Sequence, residues 1–262
     1  MIAALLVLLA AAAVAQQDQT PRPAVKDTRG LLNINRDFYE MAAATGGDFY
    51  FWSAGEFATS NLQIPIEHDE VVLSYGSLET KRVFEIPVES GARSLTVFAG
   101  VQRKDLALLV RPDGNVTHER DRDASVQSFQ HMIIATIQAP VAGMWRLELH
   151  GAGMFCVTAH VQPGADGPGM TGFDFVELRR ALRRSESLPC ELVFSGTVRD
   201  LQVEFVAKDG ATIGRALFQS AGDDRYAGKC VVPKEPFRVS VSGSDANGKP
   251  FRRIERGLRV PQ

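Results

Sequence analysis

The chain predicts a mainly β protein: two antiparallel β-sandwiches, the first jelly-roll-like and the second Ig-like, preceded by a short α/β segment. Three observations lead there. Apolar residues recur at every second position in short runs between about 80 and 162 and again after 186, the spacing that buries one face of a strand. Turn sequences such as Arg111-Pro-Asp-Gly114, Lys208-Asp-Gly210 and Asp245-Ala-Asn-Gly248 separate those runs. Between the two sets lies Pro163-Gly-Ala-Asp-Gly-Pro-Gly169, with three glycines and two prolines, which marks a linker over 163–169.

The elements follow in order. Asn35 caps a short helix in which Phe38, Met41, Ala42 and Ala44 recur at helical spacing, and Gly46-Gly47 stops it. Asp48 to Trp52 reads as a strand, Phe57 to Asn61 as a helical turn, and Glu70 to Leu78 as a β-branched run. This part, 31–78, is too small to hold a core alone. The first sandwich is expected over 79–162. Its strands are Arg82–Val88, Ser94–Phe98, Asp105–Val110, Met132–Ile137, Gly143–Leu149 and Phe155–Val161. A connecting segment and the Ig-like sandwich fill 170–262, with runs at Cys190–Phe194, Leu201–Val206, Arg215–Phe218, Arg225–Val232 and Phe237–Val241. Arg179, Arg180, Arg183 and Arg184 read as side chains lying over a domain junction or solvating a short helix or edge, rather than docking an anionic surface.

At 262 residues, with 45% hydrophobic and 23% charged residues, the chain has the composition of a globular protein of one large or two small domains. Lys and Arg number 29 against 31 Asp and Glu, and without a long basic run a nucleic-acid partner is not expected. Met1 to Ala15 is an apolar stretch ending in Ala13-Val14-Ala15, which reads as a signal peptide cleaved before Gln16 and followed by a flexible leader over 16–30. The expected location is secreted, extracellular or periplasmic, with membrane attachment only if the leader stays uncleaved.

In an oxidising compartment three cysteines allow one internal pair. Cys190 and Cys230, on two strand-like runs of the last segment, are the candidate disulfide, at a spacing that suits a staple between two sheets, and Cys156 reads as a buried thiol. Asn115-Val-Thr117 is a glycosylation sequon on Asn115. His68, His118, His131, His150 and His160 are scattered, with no metal-ligand spacing, and no nucleophile elbow or phosphate-cradling loop occurs. No catalytic, cofactor-binding or metal residue is therefore nominated. Asp121-Arg-Asp-Ala-Ser125 is rich in oxygen but reads as turn chemistry rather than a Ca²⁺ loop. Trp52 and Trp145 sit in apolar runs and are expected in the core.

Phe38 to Tyr50 resembles the closing helix and strand of a von Willebrand factor A domain. Arg111-Pro-Asp-Gly114, Pro140 to Leu147 and Ser242 to Arg253 then follow the order of signatures in hemicentin-like secreted proteins, whose A domain precedes a β-sandwich and an Ig-like module. The resemblance spans about residues 35 to 257. It implies that 31–78 is the C-terminal remnant of such a domain and that the metal-binding front half is lacking, since Asp123 to Ser128 does not match the DxSxS loop. Two readings stay open: a truncated relative, or a start further upstream. The expected function is that of a secreted, non-enzymatic interaction or adhesion-type protein with an extracellular protein partner, no cofactor and no small-molecule substrate. The alternative is an accessory or glycan-binding sandwich beside a secreted hydrolase, with an exposed tryptophan stacking a sugar.

Overall fold

The computed structural model describes residues 31–53, 56, 69–165, 167–175, 183–222 and 224–262. The leader, the turn expected at Phe57 to Asn61, His68, Arg179 and Arg180 lie outside them. Among the described residues, the helix α1 (Arg36–Thr45) precedes thirteen strands. The protein is mainly β, built of two antiparallel sheets.

The first sheet comprises β1 (Asp69–Leu78), β2 (Lys81–Val88), β3 (Ser94–Val110), β4 (Ala124–Ser128), β5 (Met132–Gln138) and β6 (Gly143–Gln162). The pairs of runs expected at 94–98 and 105–110, and at 143–149 and 155–161, are each one continuous strand. β3 breaks register between Val101 and Arg103 and between Lys104 and Leu106, opposite Gly151 and Gly153, which take positive φ. Bulges and such glycines bend a strand sharply. The first half of β6 pairs with β2 and the second with β1, while β3 runs beside both halves. Odd-numbered residues of the two halves, Trp145, Leu147 and Leu149 with Phe155, Val157, Ala159 and Val161, enter one core. The sheet therefore folds over on itself to make both layers. β1 belongs to it, so the sandwich starts at Asp69 rather than 79.

The second sheet comprises β7 (Gly169–Phe175), β8 (Ser187–Ser195), β9 (Arg199–Val206), β10 (Thr212–Gly222), β11 (Arg225–Val231), β12 (Arg238–Ser244) and β13 (Pro250–Ile254). β10 pairs with β9 through its first half and with β11 through its second. One layer is thus β7-β8-β11-β10 and the other β9-β12-β13. Counted from β7 as strand A, these are the A-B-E-D and C-F-G sheets of a constant-type Ig fold. Phe175, Phe194, Phe205, Phe237 and Phe251 fill the core between them.

Residues 31–53 form a third layer on the outer face of the first sandwich. Asn35 caps α1 by accepting from the backbone N–H groups of Asp37 and Phe38 at 3.0 and 3.2 Å. The helix faces inward differently from the expected pattern: Tyr39 and Ala43 are buried, while Phe38 and Met41 are 60% and 56% exposed. Tyr39 decides the rotation, because its hydroxyl donates to the Phe155 carbonyl at 2.6 Å. The segment expected as a strand, Asp48 to Trp52, takes no regular secondary structure and joins neither sheet among the described residues. It packs through Phe49, Phe51, Tyr50 and Trp52, with Phe51 seated on Gly100, where a Cβ would lie 2.3 Å from the ring.

Cys190 and Cys230 form a disulfide with Cα atoms 6.1 Å apart. It does not staple two sheets. Cys190 stands opposite Gly228 and Cys230 opposite Leu188, so the bond runs diagonally between neighbouring strands β8 and β11 of one layer. Closing a loop of sequence separation 40 removes entropy from the unfolded chain. Cys190→Ala with Cys230→Ala is expected to lower stability by about 3–4 kcal/mol, read from urea midpoints. A second expectation concerns Gly46, at φ 76°, where a Cβ would lie 2.0 Å from the Arg256 carbonyl oxygen. Gly46→Ala should cost about 2–3 kcal/mol in the same measurement, since backbone strain and a backbone clash combine.

Candidate functional site

Charge converges where the two sandwiches meet. β13 lies along β1 and β2, and the alternation of strand residues brings arginines of the second sandwich against acids of the first. Arg253 on β13 is 2% exposed and Glu89, just after β2, is wholly buried. The guanidinium Nη1 donates to Glu89 Oε2 at 3.3 Å, Nη2 donates to Glu89 Oε1 and to the Pro168 carbonyl, and Nε lies 2.7 Å from Asp69 Oδ2. Burying two charges is tolerable only when nearly every lone pair and proton finds a partner, as the fork geometry of arginine permits here. Pro168 brings the end of the inter-sandwich linker into this cluster.

Arg238 on β12 is wholly buried beneath α1. It donates to the carbonyls of Ala43 and Arg256 and lies 5.5 Å from the centroid of the Tyr75 ring. Burial pushes this guanidinium below its usual value. Leu258 donates to the Ala44 carbonyl at 3.0 Å, so the end of the chain also holds α1. The turn at 208–210 docks on β1 and β2: Tyr75 N–H donates to the Lys208 carbonyl at 3.0 Å, and Arg82 to the Asp209 carbonyl at 2.7 Å.

Beside this junction, the outward face of β6 carries Cys156, Thr158 and His160, all buried by the N-terminal layer. His160 sits between carboxylates from two other elements: Asp48 Oδ1 lies 3.7 Å from Nε2, and Glu70 Oε1 of β1 3.6 Å from Nδ1. Arg256 pairs with Glu70 from the far side, and the Tyr50 hydroxyl donates to Asp48 at 3.3 Å. Burial alone pushes both carboxyls up, yet His160 and Arg256 hold them below their usual range. Burial likewise disfavours the imidazolium, but the paired carboxylates outweigh it and raise His160.

Nucleophilic chemistry does not fit this face. Burial pushes the Cys156 thiol up to about 12, which keeps it protonated. Residues four apart on one strand are separated by about 13 Å, so Cys156 and His160 do not share a proton. The ring nitrogens of His160 point to opposite sides and cannot direct both carboxylates at one ion. Among the described residues no group of three or more His, Cys, Asp or Glu is placed to hold a metal. A cleft of about 350 Å³ opens between the sandwiches, lined by Val72, Phe84, Glu85, Glu204, Asp209 and Arg252 among others. Its arginines are already bound to backbone carbonyls, Arg82 to Asp209 and Arg252 to Glu85.

The residues singled out in the sequence lie away from the junction. Asn115 is exposed in the turn after β3, its amide donating to Asp113 at 2.9 Å. Asp121 and Asp123 clamp Arg111 at 3.1 and 2.7 Å, and its guanidinium lies 5.4 Å from the centroid of the Trp145 ring. Trp145 is wholly buried, donating to the Val141 carbonyl at 2.8 Å. Trp52 stacks on Tyr50 with ring centroids 5.0 Å apart. Sequence reasoning missed Asp48, Glu70, Glu89, His160, Arg238, Arg253 and Arg256. Each is unremarkable locally, and the only signal was a charged residue within an apolar alternating run.

Glu89→Ala is expected to leave Arg253 buried without its main counter-charge and to cost about 3 kcal/mol or more. The double change Glu89→Leu with Arg253→Met should recover most of that loss. A double-mutant cycle by urea unfolding checks both.

No family model and no curated protein sequence matches the chain. Among solved structures it is similar to the Bacillus licheniformis lipase BlEst2 in propeptide form, at 13% identity and TM-score 0.38, covering 74% of this chain and 41% of that one. The chain thus spans about two fifths of that lipase. It is also similar to chimeric titin Z1Z2, at 18% identity and TM-score 0.22, covering 71% of this chain and 99% of that one. The N-terminal Ig1-2 module of Drosophila receptor protein tyrosine phosphatase DLAR matches at 9% identity and TM-score 0.23, covering 66% and 95%.

Proposed function

We propose that the chain is an exported, non-enzymatic interaction or adhesion-type protein whose two sandwiches act as one rigid body toward an extracellular protein partner. The observation that carries this reading is the buried Arg253 junction. A charge pair sealed between two sandwiches tolerates no change of angle, because any opening strands an ion in a low-dielectric gap. Rigidly linked sheet faces and loops present a fixed composite surface, which suits recognition of a macromolecule. The apolar leader, the disulfide and the exposed sequon asparagine support an oxidising, external setting. The order of motifs similar to hemicentin-like proteins supports the same class.

The test uses the chain from Gln16 to Gln262, cross-linked to the surface and secreted proteins of its own source and identified by mass spectrometry. The expected result is one partner captured by the wild type and lost with Glu89→Ala, while circular dichroism shows the β content of both sandwiches intact. Capture that survives loss of the junction would overturn the rigid-body reading. Saturable turnover of a substrate would overturn the non-enzymatic one.

A further inference from the structure

His160 is 2% exposed and both its ring nitrogens face carboxylates on separate elements, with no hydrogen-bond partner nearer. We propose that His160 is a pH-operated latch: its protonated ring holds residues 31–53 on the outer face of the first sandwich, and loss of that proton releases them.

The geometry makes the argument. An imidazolium presents N–H to both sides, to Asp48 at 3.7 Å and Glu70 at 3.6 Å. A neutral ring carries one N–H, so in either tautomer a lone pair faces one of the two carboxylates. The site then holds unbalanced negative charge out of water, a cost relieved when Asp48 leaves with its segment. Asp48 is the only acid of the N-terminal layer within ion-pair reach of the ring among the described residues. The groups facing the ring from every packed element are Asp48 with the Tyr50 hydroxyl on the N-terminal segment, Glu70 on β1, and Thr96 and Phe98 on β3. Arg256, from the chain end after β13, stands behind Glu70, and Thr158 and Cys156 flank the ring on its own strand.

The sign follows from linkage. Release removes Asp48 and lets water screen Glu70, so the value of His160 falls back toward its ordinary one, whereas in the docked state it is raised by both carboxylates. Docking is therefore fully supported below the released value and weakens as pH rises through the docked one. The lowered carboxyls of Asp48 and Glu70 act oppositely and fail only in acid. Release in alkali is thus the signature of the histidine, and it uncovers Phe98, Met132, Ile134, Tyr75 and Cys156.

The experiment follows hydrogen exchange of amides in 39–52 of the full chain, corrected for intrinsic rate, from pH 6 to 9.5, beside NMR titration of the His160 ring. The opening constant of the segment is expected to rise up to about tenfold per pH unit from neutrality until the ring's docked titration point, then to level off. Amides of β12 stay unchanged. His160→Gln should abolish the rise. Asp48→Asn should lower the ring's titration point and make the rise smaller, levelling off at lower pH; it also carries the test if His160→Gln fails to fold. A flat opening constant across the ring's titration, a ring that stays protonated to pH 9.5, or an unchanged rise in His160→Gln would overturn the proposal. None of these outcomes bears on the partner-capture result, so the two readings fail separately.

Discussion

The structure depends on a buried arginine. Arg253 sits inside the junction with Glu89 and Asp69 as counter-charges and the linker carbonyl of Pro168 as a further acceptor. An ion in such a place is stable in few positions, because its Nη groups must reach Glu89 and the Pro168 carbonyl while Nε stays beside Asp69. Apolar contact between the sandwiches would have been forgiving of a few degrees of rotation. This contact is not, and it fixes how the Ig-like sandwich stands on the first one. The cleft beside it, the docking of the 208–210 turn and the position of the chain end under α1 are set by the same placement.

The N-terminal layer is held by a different balance. Aromatic side chains supply most of its contact, with Tyr39 set edge-on to Phe49 and Tyr75, and Tyr50 stacked on Trp52. Those contacts are insensitive to pH. The polar cluster of Asp48, Glu70, His160 and Arg256 is not, and it lies where three elements distant in sequence cross. Stability and responsiveness are thereby assigned to separate groups on the same face. The helix tolerates this because Arg238 and Leu258 bind the carbonyls of Ala43 and Ala44 at its end, which would otherwise be unsatisfied in a buried site.

Much of the fold was legible because alternation is a local property. The runs at Arg82, Met132, Leu201 and Phe237 each announce a strand within a few residues, and Asn35 and Gly46 bracket the helix by cap chemistry alone. What stayed hidden was long-range. The expected runs stopped at Phe98 and Leu149 and resumed at Asp105 and Phe155, because a polar or glycine-rich interruption looks the same whether the chain reverses or only bends. The face of α1 was misread since Phe38 and Met41 outweigh Tyr39 and Ala43 in apolarity, while the hydroxyl bond that decides the rotation spans 116 residues. The disulfide partners could be named from strand runs, but not their placement in one layer, which depends on β11 lying beside β8. The charge cluster left no pattern beyond single charged residues in apolar surroundings: Asp48, Glu70, His160 and Arg256 are brought together only by packing.

The position of α1 carries a consequence for biogenesis. Ala43 of the helix precedes Arg238 by 195 residues, and the Arg256 carbonyl and Leu258 come later still, so these covering groups are made well after it. A ribosome elongating this chain exposes the helix long before its lid exists. The first sandwich can close while the helix waits, and the clasp forms only after residues 238–258 have emerged from the exit tunnel. Vectorial synthesis thus makes these contacts mature later than the first sandwich, and a chain that stops before Arg238 would be born with α1 uncovered.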